Sequence, residues 1–250
     1  MDDGALDALW DFGDPAGSER RFTERLAQVR QEDGDDDAET LTQLARALGL
    51  QHRFEDADRT LDEAEAVVRD DDRRARVRIL LERGRVANTA GRTGRGADTF
   101  RAAWELARTA GEDALAVDAA HMLGIVEEPR LAWEWNERAM ELALSSPDPA
   151  AQRWVASLAN NMGWAKHDTG AYDEALELFE LALAERERQD DPARTRIARW
   201  SVARCLRSLG RTEEALAEQQ ALASELEALG ETDEYVTEEI AECLRALGRT

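Results

Sequence analysis

Apolar residues along most of this chain fall three and four positions apart, the spacing that gathers side chains on one face of an α-helix. Leu41, Leu44, Ala45 and Leu48 form one such face, and Ala159, Met162, Gly163 and the aliphatic stem of Lys166 form another; Val236, Ile240 and Leu244 make a third stripe. The helix boundaries are legible in capping chemistry. Asp14-Pro15, Asp148-Pro149 and Asp191-Pro192 each set a carboxylate acceptor at a cap and a proline at the first helical position, where its missing N–H costs nothing. Gly91, Gly170, Gly210 and Gly248 stand where a helix needs a left-handed residue to turn back, and His52 holds that place in the first copy. These marks predict a helix over 15–31, five helix pairs, and a last helix over about 232–247. No strands are expected.

A longer period lies over the helical one. The small residues Ala45, Gly84, Gly124, Gly163, Ala203 and Ala241 are separated by 39, 40, 39, 40 and 38 residues, the mark of one supersecondary unit stacked on itself. The clearest copy runs from Leu158 to Ala184 as LANNMGWAKHDTGAYDEALELFELALA. It resembles a tetratricopeptide repeat, with Met162 and Gly163 on the first helix and Ala175, Phe179 and Ala182 on the second. Leu44, Ala45, Ala57, Leu61 and Ala64 fit the first copy, Gly84, Phe100 and Ala103 the second, and Leu123 and Gly124 the third.

The resemblance covers roughly residues 37–250. It implies an all-α fold, an α-solenoid in which antiparallel helix pairs stack into a right-handed superhelix. Residues 1–36 would be an N-terminal segment with a capping helix, and 37–250 one elongated domain of five pairs plus an unpaired C-terminal helix. Two departures matter. The family repeat is about 34 residues long, so each unit here carries about five or six more. The third unit passes through Glu127, Glu128 and Pro129 into its next helix with no glycine turn, which leaves the register of that helix open.

The 250 residues include 32 basic and 54 acidic side chains, a formal net charge of −22. Nucleic-acid binding requires clustered cations to displace counterions from phosphate, so this balance argues against it. The N-terminal MDDGALDALWDFGD lacks an apolar core bounded by basic residues, and no later run approaches a membrane span. A cytoplasmic protein is expected. Cys205 and Cys243 occupy the same place in consecutive repeats and are expected to be buried and reduced, because equivalent positions in stacked helices lie about 8–10 Å apart, beyond disulfide reach.

Catalytic constellations are absent from the sequence: no phosphate loop, HExxH helix or CxxC pair occurs, and His52, His121 and His167 make no ligand set. No enzyme activity, cofactor or metal is expected. The acidic runs Glu32-Asp33-Gly34-Asp35-Asp36-Asp37 and Asp70-Asp71-Asp72 lack the spacing of a calcium loop and read as solvated connectors or helix starts.

In arrays of the kind the resemblance implies, first helices line the inner surface, and the positions three before, one after and four after each small residue face a groove. In the middle of the chain those positions gather Arg85, Asn88, His121, Asn160, Trp164, His167, Trp200, Arg204 and Arg207. Arginine grips carboxylates through two parallel hydrogen bonds, asparagine bonds a peptide backbone from both its groups, and tryptophan supplies an apolar anchor. The expectation is a noncatalytic adaptor for a protein or peptide partner, binding an extended acidic or carboxylate-bearing segment. Against it stand two plainer readings: each arginine pairs with a neighbouring acid, and Trp164 and Trp200 pack between helices. The dicarboxylate clamp of some tetratricopeptide domains is not expected, because Ile125, Ile197 and Ser201 stand where that clamp needs amide or basic groups, and only Asn161 fits. The alternatives are a self-associating scaffold joined through the C-terminal helix and the ligand-sensing module of a regulator.

Overall fold

The computed structural model describes residues 3–31 and 37–249, and among them the only regular elements are helices. Most of the first acidic run, 32–36, lies outside the described residues. The chain divides into two compact units, 1–142 and 143–250. In the first, a short α1 (Asp3–Asp7) and α2 (Pro15–Gln31) precede the pairs α3 (Asp37–Leu50) with α4 (Phe54–Val67) and α5 (Arg73–Thr89) with α6 (Thr93–Ala110); α7 (Asp113–Val126) and α8 (Pro129–Ser145) follow, and the division falls inside α8. The second holds a single turn, α9 (Pro149–Gln152), the pairs α10 (Val155–Asp168) with α11 (Tyr172–Arg188) and α12 (Pro192–Ser208) with α13 (Thr212–Leu229), and finally α14 (Glu234–Ala246).

The predicted starts and stops are where the chemistry set them. Asp14 accepts from the Gly17 N–H at 2.9 Å and Asp191 from the Arg194 N–H at 3.0 Å, each satisfying an amide that the helix leaves without a partner. Asp148 likewise accepts from Ala150 at 2.8 Å, but the helix it starts lasts one turn before α10 begins. At the stops, Gly170 and Gly210 both have φ near 80° and His52 takes φ 59° in the equivalent place. A side chain in that left-handed conformation costs about 1–2 kcal/mol that glycine does not.

The small residues set how closely each pair packs. A methyl group built on Gly163 would lie 2.7 Å from the Phe179 ring, and one on Gly84 would run into Phe100 in the same way. Where the small residue is Ala45, the partner sixteen positions on is the narrower Leu61, and both are fully buried. In these three pairs glycine is matched to a ring and alanine to an aliphatic chain. In the fifth pair Ala203 is matched to Gln219, which is fully buried and whose amide nitrogen and oxygen both lack partners among the described residues.

The third pair resolves the open register. In the other four pairs the second helix begins nine residues after the small residue, but α8 begins five after Gly124. The missing four residues amount to one helical turn. Asn136, twelve residues beyond Gly124, takes the place held elsewhere by the residue sixteen beyond, with its amide oxygen 2.5 Å from where a Gly124 methyl would sit.

Both cysteines are buried and reduced. The Cys205 thiol donates to the Tyr172 carbonyl at 3.3 Å, and burial pushes it up to about 11. The C-terminal stripe is engaged within the chain: Val236 packs with Leu222 and Leu226, while Ile240 and Leu244 lie against a core that contains both cysteines.

Candidate functional site

In unit 1 the first helices α3, α5 and α7 bring their polar faces together, and the result is an ion-pair network. The Arg85 guanidinium donates to both Asp118 carboxylate oxygens at 2.5 Å and also to Glu82. Arg46 stands 3.9 Å from Glu82 and lies over the rings of Trp10 and Phe12 at 5.6 and 5.3 Å, while Trp10 donates its indole N–H to Gln43 at 2.9 Å. Burial works against ionisation of Asp118, but the Arg85 and Arg46 charges outweigh it and hold that carboxyl below its usual range. Burial also holds His121 below the ordinary imidazole value, against the pull of Asp118. Asn88 lines a 170 Å³ hollow beside these groups, with Arg46, Glu82, Arg85 and Met122. Arg85, Asn88 and His121 thus sit close together, but the cation among them is already compensated.

In unit 2 the remaining predicted residues gather on α10 and α12. Trp164 packs edge-on against Phe179 at 4.9 Å and His167 at 5.1 Å, and it meets Trp200 at 5.8 Å. The two tryptophans differ in setting: Trp164 borders the core around Phe179, while Trp200 lines an open groove. His167 Nε2 is 2.9 Å from the Ser208 hydroxyl, and burial keeps the imidazole below its ordinary value. Arg204 and Arg207 converge on one buried carboxylate, Glu239 of α14, at 3.0 and 2.8 Å. The Asn160 amide oxygen accepts from Ser201 at 3.3 Å. Arg204 and Arg207 therefore tie α12 to α14 rather than standing as unpaired cations.

The groove lined by Trp200 runs between α12, α13 and the start of α14, with a volume of about 480 Å³. Leu222, Leu226 and Val236 form its wall, and Ile197 and Tyr235 rise at its rim, 60% and 68% exposed. Arg196 stands at one side, held by Glu225 at 3.4 Å and Glu231 at 3.6 Å. A second hollow of about 230 Å³ adjoins it through Ile197 and carries Ser157, Asn160, Asn161, Arg186 and Arg194. Sequence reasoning found Trp200 and Asn160, named Ile197 only as a misfit for the dicarboxylate clamp, and passed over Tyr235. Their signal was available: both are large apolar residues outside the buried stripe of an otherwise polar surface.

Among the described residues no group of His, Cys, Asp and Glu is arranged to hold a metal ion, and no helix is long and apolar enough to cross a membrane. What this geometry can do chemically is recognise a chain segment: apolar contact in the groove, amide hydrogen bonds beside it, and charge at its far end.

No curated protein matches the sequence. Among solved structures the chain is similar to BtubC (BKLC) from P. vanneervenii, at 18% identity and a TM-score of 0.69 over 90% of this chain and 94% of that one. It is also similar to the assembly chaperone of RpL4 (Acl4), at 18% identity and a TM-score of 0.51 over 98% of this chain and 95% of that one. At these identities the likeness is one of fold. Residues 154–224, from the residue before α10 to within α13, match the model of the tetratricopeptide repeat. The helix pairs before this stretch repeat the same arrangement of two antiparallel helices joined by a short turn, so the match to tetratricopeptide repeats lies within a continuous series of helix pairs.

Proposed function

We propose that this protein is a noncatalytic binding protein whose second unit takes a segment of a partner protein into the groove between α12 and α14. The observation that carries the reading is the groove itself: an open, largely apolar hollow of about 480 Å³ with Ile197 and Tyr235 left exposed at its rim. A side chain of leucine or phenylalanine size buried there would contribute about 1.5–3 kcal/mol. Asn160 and Asn161, in the adjoining hollow, are the amides best placed to bond the backbone of an extended segment. Helical repeats of this type generally mediate protein or peptide association, which supports the same conclusion.

The acidic character first expected of the ligand needs cations that remain unneutralised. Arg85, Arg204 and Arg207 each have a carboxylate at hand, so an acidic end of the segment would be read elsewhere. Selection from a displayed peptide library tests the proposal. Peptides sharing a large apolar residue should emerge and should lose at least about tenfold in affinity, 1.4 kcal/mol, with Ile197→Ser or Tyr235→Ser. Peptides that bind these variants as well as the native chain would place the site outside the groove. A mass that doubles with concentration, and reverts with the same substitutions, would identify the occupant as a second copy instead.

A further inference from the structure

Three arginines face one pocket in unit 2 where the turn before α10 meets α10, α11 and α12. The pocket encloses about 360 Å³ and is walled by Arg153, Trp154, Ser157, Arg186, Gln189 and Arg194. Elsewhere in this acidic chain the guanidinium groups of Arg85, Arg196, Arg199, Arg204 and Arg207 each rest on a carboxylate. Arg186 does not. Its half-buried side chain donates to Gln189 Oε1 at 2.8 Å and Ser157 Oγ at 2.7 Å, both neutral, and no carboxylate lies within ion-pairing distance among the described residues. The exposed Arg153 side chain likewise makes no polar contact among the described residues. Arg194 has one acid, Asp191 at 3.4 Å, which is also occupied in capping α12. Burial and the neighbouring Arg194 charge hold Arg186 below its ordinary value, against the weaker pull of Asp191. A chain with a net charge of −22 thus leaves two positive charges uncompensated in one pocket.

We infer that this pocket is a binding site for a phosphate-type dianion, a phosphoryl group either free or carried on a partner segment. Such a group bears a charge of about −1.5 to −2 and three strong acceptor oxygens, which matches the uncompensated charge where a single carboxylate does not. Guanidinium forks bond phosphoryl oxygens in pairs. The Ser157 hydroxyl accepts from Arg186 and keeps its own hydrogen to donate, and Gln189, which gives one amide hydrogen to the Arg153 carbonyl at 3.1 Å, retains the other.

The site deepens the proposed function and rests on it only for the natural carrier of the phosphoryl group. Arg186, Arg194 and Ser157 also line the hollow that joins the apolar groove at Ile197. From Arg194 to Trp200 is six residues of α12, about 9 Å at about 1.5 Å each, so a phosphorylated residue about three positions from an apolar anchor would reach both.

Titration calorimetry with small anions at fixed ionic strength tests the site apart from the groove. Inorganic phosphate should bind saturably to the native chain and at least tenfold more weakly to Arg186→Gln. The exposed Arg153→Gln variant, whose side chain supports nothing else, should lose affinity by a similar factor and keeps the test informative if Arg186→Gln does not fold. N-acetyl-phosphoserine amide binding as well as phosphate assigns the site to a phosphorylated chain; binding of phosphate alone assigns it to the free ion. Absence of saturable binding, binding untouched by both substitutions, or N-acetyl-aspartate amide binding as tightly as phosphate would each overturn the inference. Failure here leaves the groove standing, because Ile197 and Tyr235 do not line this pocket.

Discussion

Gly163→Ala asks whether the pairing of glycine with a ring is a steric rule or an accident. The added methyl would sit 2.7 and 2.8 Å from two carbons of the Phe179 ring, where unstrained carbons stand about 3.5–4.0 Å apart. The ring has little freedom to retreat, being fully buried and in edge-on contact with Trp164 at 4.9 Å. Overpacking of this kind costs about 1–3 kcal/mol, and the better helix propensity of alanine returns about 1. Phe179→Leu alone vacates part of the ring volume and should cost roughly 1–2 kcal/mol, by comparison with other large-to-small changes in cores. Made together, the two substitutions recreate the Ala45 and Leu61 pairing already present in the first repeat, and the new methyl fills the space the ring leaves. The double variant should therefore lie within about 1 kcal/mol of the native chain, with a coupling of about 1–2 kcal/mol between the sites. Urea unfolding followed by circular dichroism, with midpoints compared at constant slope, measures all four corners of the cycle. If the two single effects add to within about 0.5 kcal/mol, the steric matching argument fails.

Gln219→Leu should raise stability by about 1–3 kcal/mol, because it removes two buried amide atoms without partners; a loss of stability would show that the amide is bonded in solution. His52→Gly should add about 1 kcal/mol by relieving the left-handed backbone at φ 59°, read from the same urea midpoints. Arg85→Ala should cost about 3–5 kcal/mol by leaving Asp118 and Glu82 buried without their partner, and a neutral outcome would mean that water reaches both acids. Because burial holds His121 and His167 below 6.5, the unfolded chain takes up protons there before the folded one does. That part of the stability is fully present above 6.5 and is lost as the pH falls toward the folded values; equal urea midpoints at pH 7.5 and 5.5 would contradict it.

Helix starts and helix stops could be read directly, because each depends on residues within a turn or two of itself, and the matched small and large residues of the first, second and fourth pairs could be read because they recur at one fixed spacing of sixteen. Asp191 before Pro192 and Gly170 in a left-handed turn are local chemistry, and the structure repeats it. The ion pairs are not local in this sense. Arg85 finds Asp118 thirty-three positions on and Arg207 finds Glu239 thirty-two positions on, nearly a whole repeat away on the next first helix. A search of each helix surface at three and four residues passes over them. The apolar groove was hidden for a related reason: its wall comes from α13 and α14 and its rim from α12 and α14, so no single helix displays it. The arginine pocket likewise draws on three helices and the turn before α10, with Arg186 distinguished from other arginines only by the acids it does not meet.

The short link before α8 shows how such a chain can change length over evolutionary time. The residue that faces the small one stands seven after the start of its helix in α4, α6, α8 and α11 alike, so the four missing residues come out of the end of α7 and the turn after it, and the buried face of α8 is unchanged. Asn136 steps into the seat that Met140 would have filled, and the helix remains packed. Deleting two residues from within α8 itself would instead swing that face by about 200° and turn its apolar side outward. Gaps in this protein's lineage are therefore expected to gather in the links between two helices of one pair, where length changes without turning a buried face.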